Sequence, residues 1–220
     1  MAPGKGSEFK RLWIGLLILA LAGCASGYGR PKLPYDAWYI GISAPRYMEV
    51  WVESVDVVDR RGLAFERVHG GVVSYTGRNT IGWPARGVTG AIKSIGNVDL
   101  PEIIFVRWQS LVEPQTYNVR IDIPQWVRDE MVKPQQAYCI GRKVWETGFR
   151  DIISIGMAPG GIAKAWVLGP CLEPKEIGRF HAKIDKRGPY EGHSGGEYYR
   201  PPKQAAQNYI QQHGIPYGSW

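Results

Sequence analysis

The sequence lacks the residue patterns of several common functional classes. Its three cysteines and four histidines contain no CxxC, HExxH or mixed Cys/His spacing that would indicate a metal site. Lys and Arg residues form no cluster denser than Arg60-Arg61, so a nucleic-acid-binding surface is not indicated. The glycine-rich stretch Gly156–Gly161 lacks the lysine and the helix of a phosphate-binding loop. These deficits argue against a metal site, a nucleic-acid-binding surface and a phosphate-binding loop.

Long apolar runs are also scarce, and the N-terminal one is informative. Leu12–Leu21 is an apolar run of ten residues, preceded by basic residues and followed by Leu-Ala-Gly-Cys ending at Cys24. A mature membrane-spanning helix needs about 20 apolar residues, so this run is too short for one. It resembles a bacterial lipoprotein signal with its lipobox, which implies a signal peptide over residues 1–23 and lipidation, with palmitate, at Cys24. The alternative is an ordinary secretory signal with a coincidental cysteine.

This signal predicts a location in the cell envelope. Ala25, not Asp, follows the cysteine, and the enterobacterial sorting rule then points to the periplasmic face of the outer membrane, although the rule varies between bacteria. Residues 24–33 contain Gly, Ser and Pro and are predicted to form a tether. Removal of residues 1–23 takes three basic residues and one acidic residue from a net charge of +7, which leaves +5. A mild positive charge favours anionic headgroups or an acidic partner.

Two cysteines remain once Cys24 is assigned to lipid. Cys139 and Cys171 are free to pair in an oxidising periplasm, which would close a loop of about 30 residues and contribute roughly 3–4 kcal/mol. Two buried free thiols are the alternative. The sequence therefore predicts a disulfide between Cys139 and Cys171.

The fold class follows from period-2 alternation around a central hairpin, Leu100–Trp126. Apolar residues alternate with polar ones in both arms, and Pro114 lies in the connection between them. Further strands are predicted at 38–43, 48–59, 151–157, 162–168 and 177–184, with a short helix over Pro124–Met131. We therefore predict a mainly β domain over residues 34–187: an antiparallel β-sandwich or open barrel of about eight strands with one or two short helices.

The last segment, residues 188–220, is polar and rich in Gly, Pro and Tyr. It is predicted to be disordered or draped on the domain, with a helical turn or two within Pro202–His213. Its Gly192–Gly196 run spells G-x-S-x-G, the nucleophile motif of α/β-hydrolases. No apolar strand precedes Ser194 and no amphipathic helix follows it, so the chain is predicted not to be an enzyme and to need no cofactor.

Three segments and the lipobox together resemble a family of bacterial lipoproteins with a domain of unknown function. The segments are Pro45–Asp59, Leu100–Pro124 and Ile155–Pro174, and the resemblance covers about Pro34–Gly188. Members of that family are found beside type VI secretion effectors, notably antibacterial phospholipases. The resemblance implies an immunity protein: a membrane-tethered periplasmic protein that binds the lipase of a sister cell and blocks it. An envelope lipoprotein that binds another envelope component, such as peptidoglycan, and a carrier of a small apolar ligand are the alternatives.

A binding role requires rigid aromatic or arginine anchors on the surface. Trp51 lies between two glutamates on its predicted strand and is a candidate exposed aromatic residue, with packing under a loop or second sheet as the alternative. The full set of predicted partner-binding residues is Trp51, Trp83, Arg107, Trp108, Gln109 and Glu113.

Overall fold

The computed structural model describes residues 29–73, 80–84, 87 and 89–220. The predicted signal peptide 1–23, Cys24 and the first part of the tether lie outside the described residues. The compact unit that carries the fold is Lys32–Trp220.

The described chain contains twelve strands and two helices, so the mainly β prediction is confirmed while its estimate of about eight strands was too low. The elements, in chain order, are β1 (Ala37–Ser43), β2 (Val50–Asp59), β3 (Ala64–Val73), β4 (Ala91–Gly96), β5 (Pro101–Ser110), β6 (Gln115–Asp122), α1 (Gln125–Val132), β7 (Gln135–Cys139), β8 (Val144–Gly148), β9 (Ile152–Ala158), β10 (Ile162–Gly169), β11 (Leu172–His181), β12 (Lys183–Ile184) and α2 (Gln204–His213).

The strands form two five-stranded sheets and one separate hairpin. Sheet one has the order β11-β10-β9-β1-β4, and sheet two has the order β12-β6-β5-β2-β3. All pairs are antiparallel except β1 with β9, which run parallel. The hairpin β7–β8 belongs to neither sheet. Of the two predicted architectures, the sandwich is the one observed.

The central hairpin has the register that alternation predicts. Ile104 pairs with Ile121, and Trp108 pairs with Tyr117, so the apolar residues of both arms share one face. That face packs against sheet one, because one cluster of buried side chains contains residues from both sheets. Trp108 and the sheet-one residue Trp38 are both fully buried in it. The core between the sheets is therefore filled by large side chains.

The C-terminal segment is ordered, which corrects the expectation of disorder. It contains a short 3-10 turn at Pro189–Gly192 and the helix α2, and its last residue, Trp220, is only 4% exposed. Trp220 packs in a second buried cluster with Met48, Ala158 and Ile162. The segment is thus draped on the sandwich, and contacts with residues far away in sequence hold it there.

Candidate functional site

The outer face of sheet two carries a buried network of charges. The Arg107 guanidinium donates from Nε to Glu53 Oε2 over 2.6 Å and also contacts Asp185. Gln109 donates to Glu53 Oε1 over 2.7 Å, as does the backbone N–H of Tyr190. Because an unpaired buried charge is costly, each member of this network depends on the others.

The C-terminal segment contacts this network and lies beside three predicted partner-binding residues. Arg107 is 7% exposed and Gln109 is fully buried, so neither is accessible to a partner in this fold. Trp51 is half-buried, and the Arg200 guanidinium lies 3.5 Å from the centre of its ring. The prediction of Arg107 and Gln109 as partner contacts was wrong, because sequence alternation gives the face of a sheet but not the segment that covers it. Trp51 stays a prediction, since part of its side chain is exposed.

The two other predicted tryptophans have packing roles. Trp108 is fully buried in the main core. Trp83 packs edge-on against Trp166, with ring centroids 5.5 Å apart, and lies against Gly156. A Cβ at Gly156 would come within 2.5 Å of the Trp83 ring, so only glycine permits this approach. Trp108 was therefore a wrong prediction, and the half-buried Trp83 is engaged within the fold.

Glu113 binds groups from three parts of the chain. Its Oε1 accepts hydrogen bonds from the Tyr217 hydroxyl at 3.0 Å, the Tyr117 hydroxyl at 3.3 Å and the Gly160 N–H at 2.9 Å. Burial, followed by the hydrogen bond to Glu113, raises the pKa of Tyr217 to about 12. The pKa of Tyr117 is also raised, first by burial and then by the nearby Glu113 charge. Glu113 therefore joins the C-terminal segment to the central hairpin.

We expect Glu113→Gln to lower the pKa of Tyr217 toward its ordinary value of about 10, because the phenol loses a negatively charged acceptor. The folded state favours the neutral phenol, so this contribution to stability is complete below about pH 10 and is lost as the pH rises toward about 12. The measurement is a phenolate absorbance titration of wild type and Glu113→Gln, each compared with its Tyr217→Phe counterpart. Identical Tyr217 titrations in the two backgrounds would contradict the assignment.

The hairpin β7–β8 exposes several large apolar side chains to solvent. Tyr138 and Trp145 are cross-strand partners with ring centroids 5.7 Å apart, and they are 44% and 71% exposed. Ile140, in the connection between the strands, is 72% exposed. We call Tyr138, Ile140 and Trp145 the hairpin surface. Exposed aromatic pairs of this kind are typical of interaction surfaces.

A cleft of about 450 Å³ separates the hairpin from the turn between β10 and β11. Tyr138 and Ile140 line one side, and Leu168, Leu172 and Pro174 contribute to the lining. The hairpin surface therefore continues into a concave region instead of ending on a flat ribbon. Such a shape allows a partner side chain to insert beside the aromatic pair.

The hairpin is held to the sandwich by the disulfide that the sequence predicted. Cys139, the last residue of β7, is bonded to Cys171, with a Cα–Cα distance of 5.1 Å. A carboxylate oxygen of Glu146 lies near both sulfur atoms, and the three atoms are close enough together to hold a metal ion. Because the sulfurs are bonded to each other, they provide no thiolate ligand. The disulfide therefore holds the hairpin against the sandwich, and the cluster is not a metal centre.

We expect replacement of both cysteines by alanine to lower the free energy of unfolding by about 3–4 kcal/mol, given the sequence separation of 32 residues. An isolated two-stranded hairpin is marginal in water, so amide exchange in residues 135–148 should also accelerate. Urea denaturation of the oxidised wild type and the Cys139→Ala/Cys171→Ala variant measures the first effect. Reductant should destabilise the wild type and leave the variant unchanged; equal stability of the two oxidised proteins would contradict the prediction.

Sequence reasoning missed this hairpin because its pattern is weak. In β7 the inward residues are Ala137 and Cys139, which are small, while the outward Tyr138 is the most hydrophobic-looking residue of the strand. The largest apolar side chain of this strand therefore lies on its exposed face, which is the opposite of the usual alternation. The signal that could have identified it is Cys139 itself, because a predicted disulfide requires a rigid segment on either side.

Ser194 of the G-x-S-x-G run lies in a turn of the C-terminal segment, not between a strand and a helix. Its hydroxyl donates to the Pro189 carbonyl over 3.1 Å, and the residue is 8% exposed. This hydrogen bond stabilises the turn that follows the charged network.

Together these features define a β-sandwich with a disulfide-braced hairpin that presents aromatic side chains to solvent. The chain belongs to the family described as "Protein of unknown function (DUF2931)", whose model matches residues 25–218. The match includes the C-terminal segment, so the family region extends beyond the Pro34–Gly188 expected from sequence. No curated protein and no solved structure matches the chain. In the part of the chain that the structure describes, every helix is too short or too polar to span a bilayer.

Proposed function

We propose that this protein is a lipid-anchored envelope protein that binds and neutralises a protein partner through the hairpin surface. The observation that carries the proposal is the exposed Tyr138–Trp145 pair on a ribbon held rigid by a disulfide. Tyr and Trp provide large contact area with few rotatable bonds, so they lose little entropy on binding. A rigid ribbon lowers that entropic cost further.

The charges beside the hairpin surface favour a partner with an acidic rim. Arg142 and Lys143 occupy the connection between β7 and β8, and both are exposed. Arg142 pairs with Glu146, whereas Lys143 adds a positive charge at the tip. Charge complementarity of this kind mainly raises the association rate.

The anchoring part of the proposal rests on the lipobox at Cys24. The family match begins at residue 25 and includes none of the segment that resembles a signal peptide. An anchor on the periplasmic side would place the protein where a phospholipase reaches its substrate, and tethering raises the local concentration of the inhibitor there. The resemblance to lipoproteins found beside type VI secretion phospholipases makes such a lipase the proposed partner.

The filled core weighs against the alternative of a carrier for a small apolar ligand. Trp38, Trp108 and Met157 are fully buried in the cluster between the two sheets. An apolar carrier requires a sizeable internal cavity at such a place.

The proposal is tested by binding between the purified mature protein and an antibacterial phospholipase encoded beside its gene. We expect a stable complex with inhibited lipase, and a loss of affinity of roughly 30-fold or more for Tyr138→Ser/Trp145→Ser, because interface hot spots contribute at least about 2 kcal/mol. Trp126→Ser is the matched control, since Trp126 is 40% exposed on α1 and lies outside the hairpin. Unchanged affinity of the double variant, or no complex with wild type, would overturn the proposal.

A further inference from the structure

A second surface lies at the point where the chain enters the fold. A pocket of about 500 Å³ there is lined by the first residues of the compact unit together with residues of α1, the residue after β2 and the residue before β5. We call it the entry pocket and define it by Lys32, Leu33, Arg60, Leu100, Arg128 and Val132.

The entry pocket has a cationic rim. Lys32 is exposed, and the side chain of Arg60 is 49% exposed although it pairs with Asp99 at 3.3 Å. The Arg128 guanidinium donates to Gln125 Oε1 at 2.8 Å and to the backbone carbonyls of Pro101 and Ile123, so its positive charge is fixed at the rim. Asp129 is the one acidic residue in the lining, so three cations face one anion. The rim therefore attracts a negatively charged group.

The floor of the entry pocket is apolar. Leu33 is half-buried, Leu100 is buried and Val132 is 38% exposed. Cations above an apolar floor suit a ligand with a phosphate next to a hydrocarbon segment, because Lys and Arg bind the phosphate oxygens while the apolar side chains contact the chain. A phospholipid has this combination of groups.

The length of chain between Cys24 and Lys32 limits how far the entry pocket can lie from the proposed anchor. Seven residues lie between Cys24 and Lys32, and the eight Cα–Cα steps that join these two positions span at most about 28 Å. If Cys24 carries lipid, as the proposed function requires, the pocket stays close to the headgroups of the anchoring leaflet.

We propose that the entry pocket binds the phosphate groups of anionic phospholipids and holds the sandwich in a fixed orientation on the membrane. This rests on the lipid anchor of the proposed function, but the binding itself requires no acyl chain. With this end on the bilayer, the protein would present the remaining surfaces to partners in the periplasm.

The test uses the mature chain carrying Cys24→Ser, without lipid, and vesicles of phosphatidylglycerol and phosphatidylethanolamine or of phosphatidylcholine alone. Each basic residue near an anionic surface contributes about fivefold to partitioning. We therefore expect binding to the anionic vesicles only, weakened about 25-fold in Lys32→Gln/Arg60→Gln. The matched control is Arg179→Gln/Lys183→Gln, which removes the same charge from exposed residues of β11 and β12.

Selective loss in the entry-pocket variant supports the proposal. Equal loss in both variants would mean that net charge alone drives binding, and would overturn it, as would absence of binding to anionic vesicles. Partner binding in solution is measured without membranes, so failure here leaves the proposed function intact. Failure of partner binding likewise leaves the vesicle result unaffected.

Discussion

Replacing Arg107 with methionine is expected to lower the free energy of unfolding by about 3–5 kcal/mol, because Glu53 loses its positive partner while it remains buried and Asp185 keeps only Arg187. For a chain of this size the melting temperature should fall by about 6–20 °C. The C-terminal segment should also loosen, since Arg107 donates to the Gly188 carbonyl at its start. Thermal unfolding and amide exchange over residues 186–203 measure the two effects.

Arg120→Met is the matched control for this prediction. Arg120 lies on the neighbouring strand β6 and pairs with Asp122, but the pair is exposed on both sides. Exposed ion pairs contribute about 0–1 kcal/mol, so the control should stay close to wild type. Equal stability of Arg107→Met and Arg120→Met would show that the buried network does not hold the segment.

Trp220→Ala is expected to destabilise the protein by about 3 kcal/mol, although the residue is the last in the chain. The indole packs with Met48, Ala158 and Ile162, so its removal leaves a cavity at one end of the sandwich. Deleting residues 214–220 should have a similar effect. Urea denaturation measures both variants.

Trp145→Ala is the matched control, because it removes the same side chain from an exposed position. We expect a change within about 0.5 kcal/mol, as for most surface substitutions. If Trp220→Ala and Trp145→Ala had equally small effects, the C-terminal residue would not be part of a folded cluster.

The contrast between the central hairpin and the C-terminal segment shows what the sequence could predict. Alternation in β5 and β6 is local, and it correctly grouped Ile104 and Ile121 with the apolar faces that the structure buries. The order of the last 33 residues depends on contacts such as Tyr190 with Glu53, which are 137 positions apart. Polar composition gives no sign of such contacts.

The same limit explains the errors in the candidate site. Trp51 and Arg107 do lie on the face of sheet two that points away from the core, as alternation indicated. Arg107 is nevertheless covered by the backbone from Gly188 to Tyr190, and Trp51 is partly covered by Arg200. Packing between distant segments decides which outward-facing residues stay exposed. The hairpin β7–β8 stays exposed, and the sequence pattern did not predict it.

The hairpin surface and the entry pocket have different proposed roles: the first binds the partner and the second binds the membrane. The entry pocket lies where the chain arrives from its proposed anchor, and it is cationic. The hairpin surface is aromatic and is stabilised by a disulfide that an oxidising compartment would maintain. A membrane-held inhibitor needs both properties: one surface for the bilayer and a different, rigid one for the partner.

The most direct test of partner binding through the hairpin is amide hydrogen exchange of the mature protein, alone and in complex with the proposed phospholipase partner. We expect exchange to slow in residues 135–148 and in the adjoining turn at residues 169–172, with little change in the entry-pocket segments. Slowing confined to other parts of the sandwich, with residues 135–148 unaffected, would contradict the assignment of the hairpin surface as the binding site.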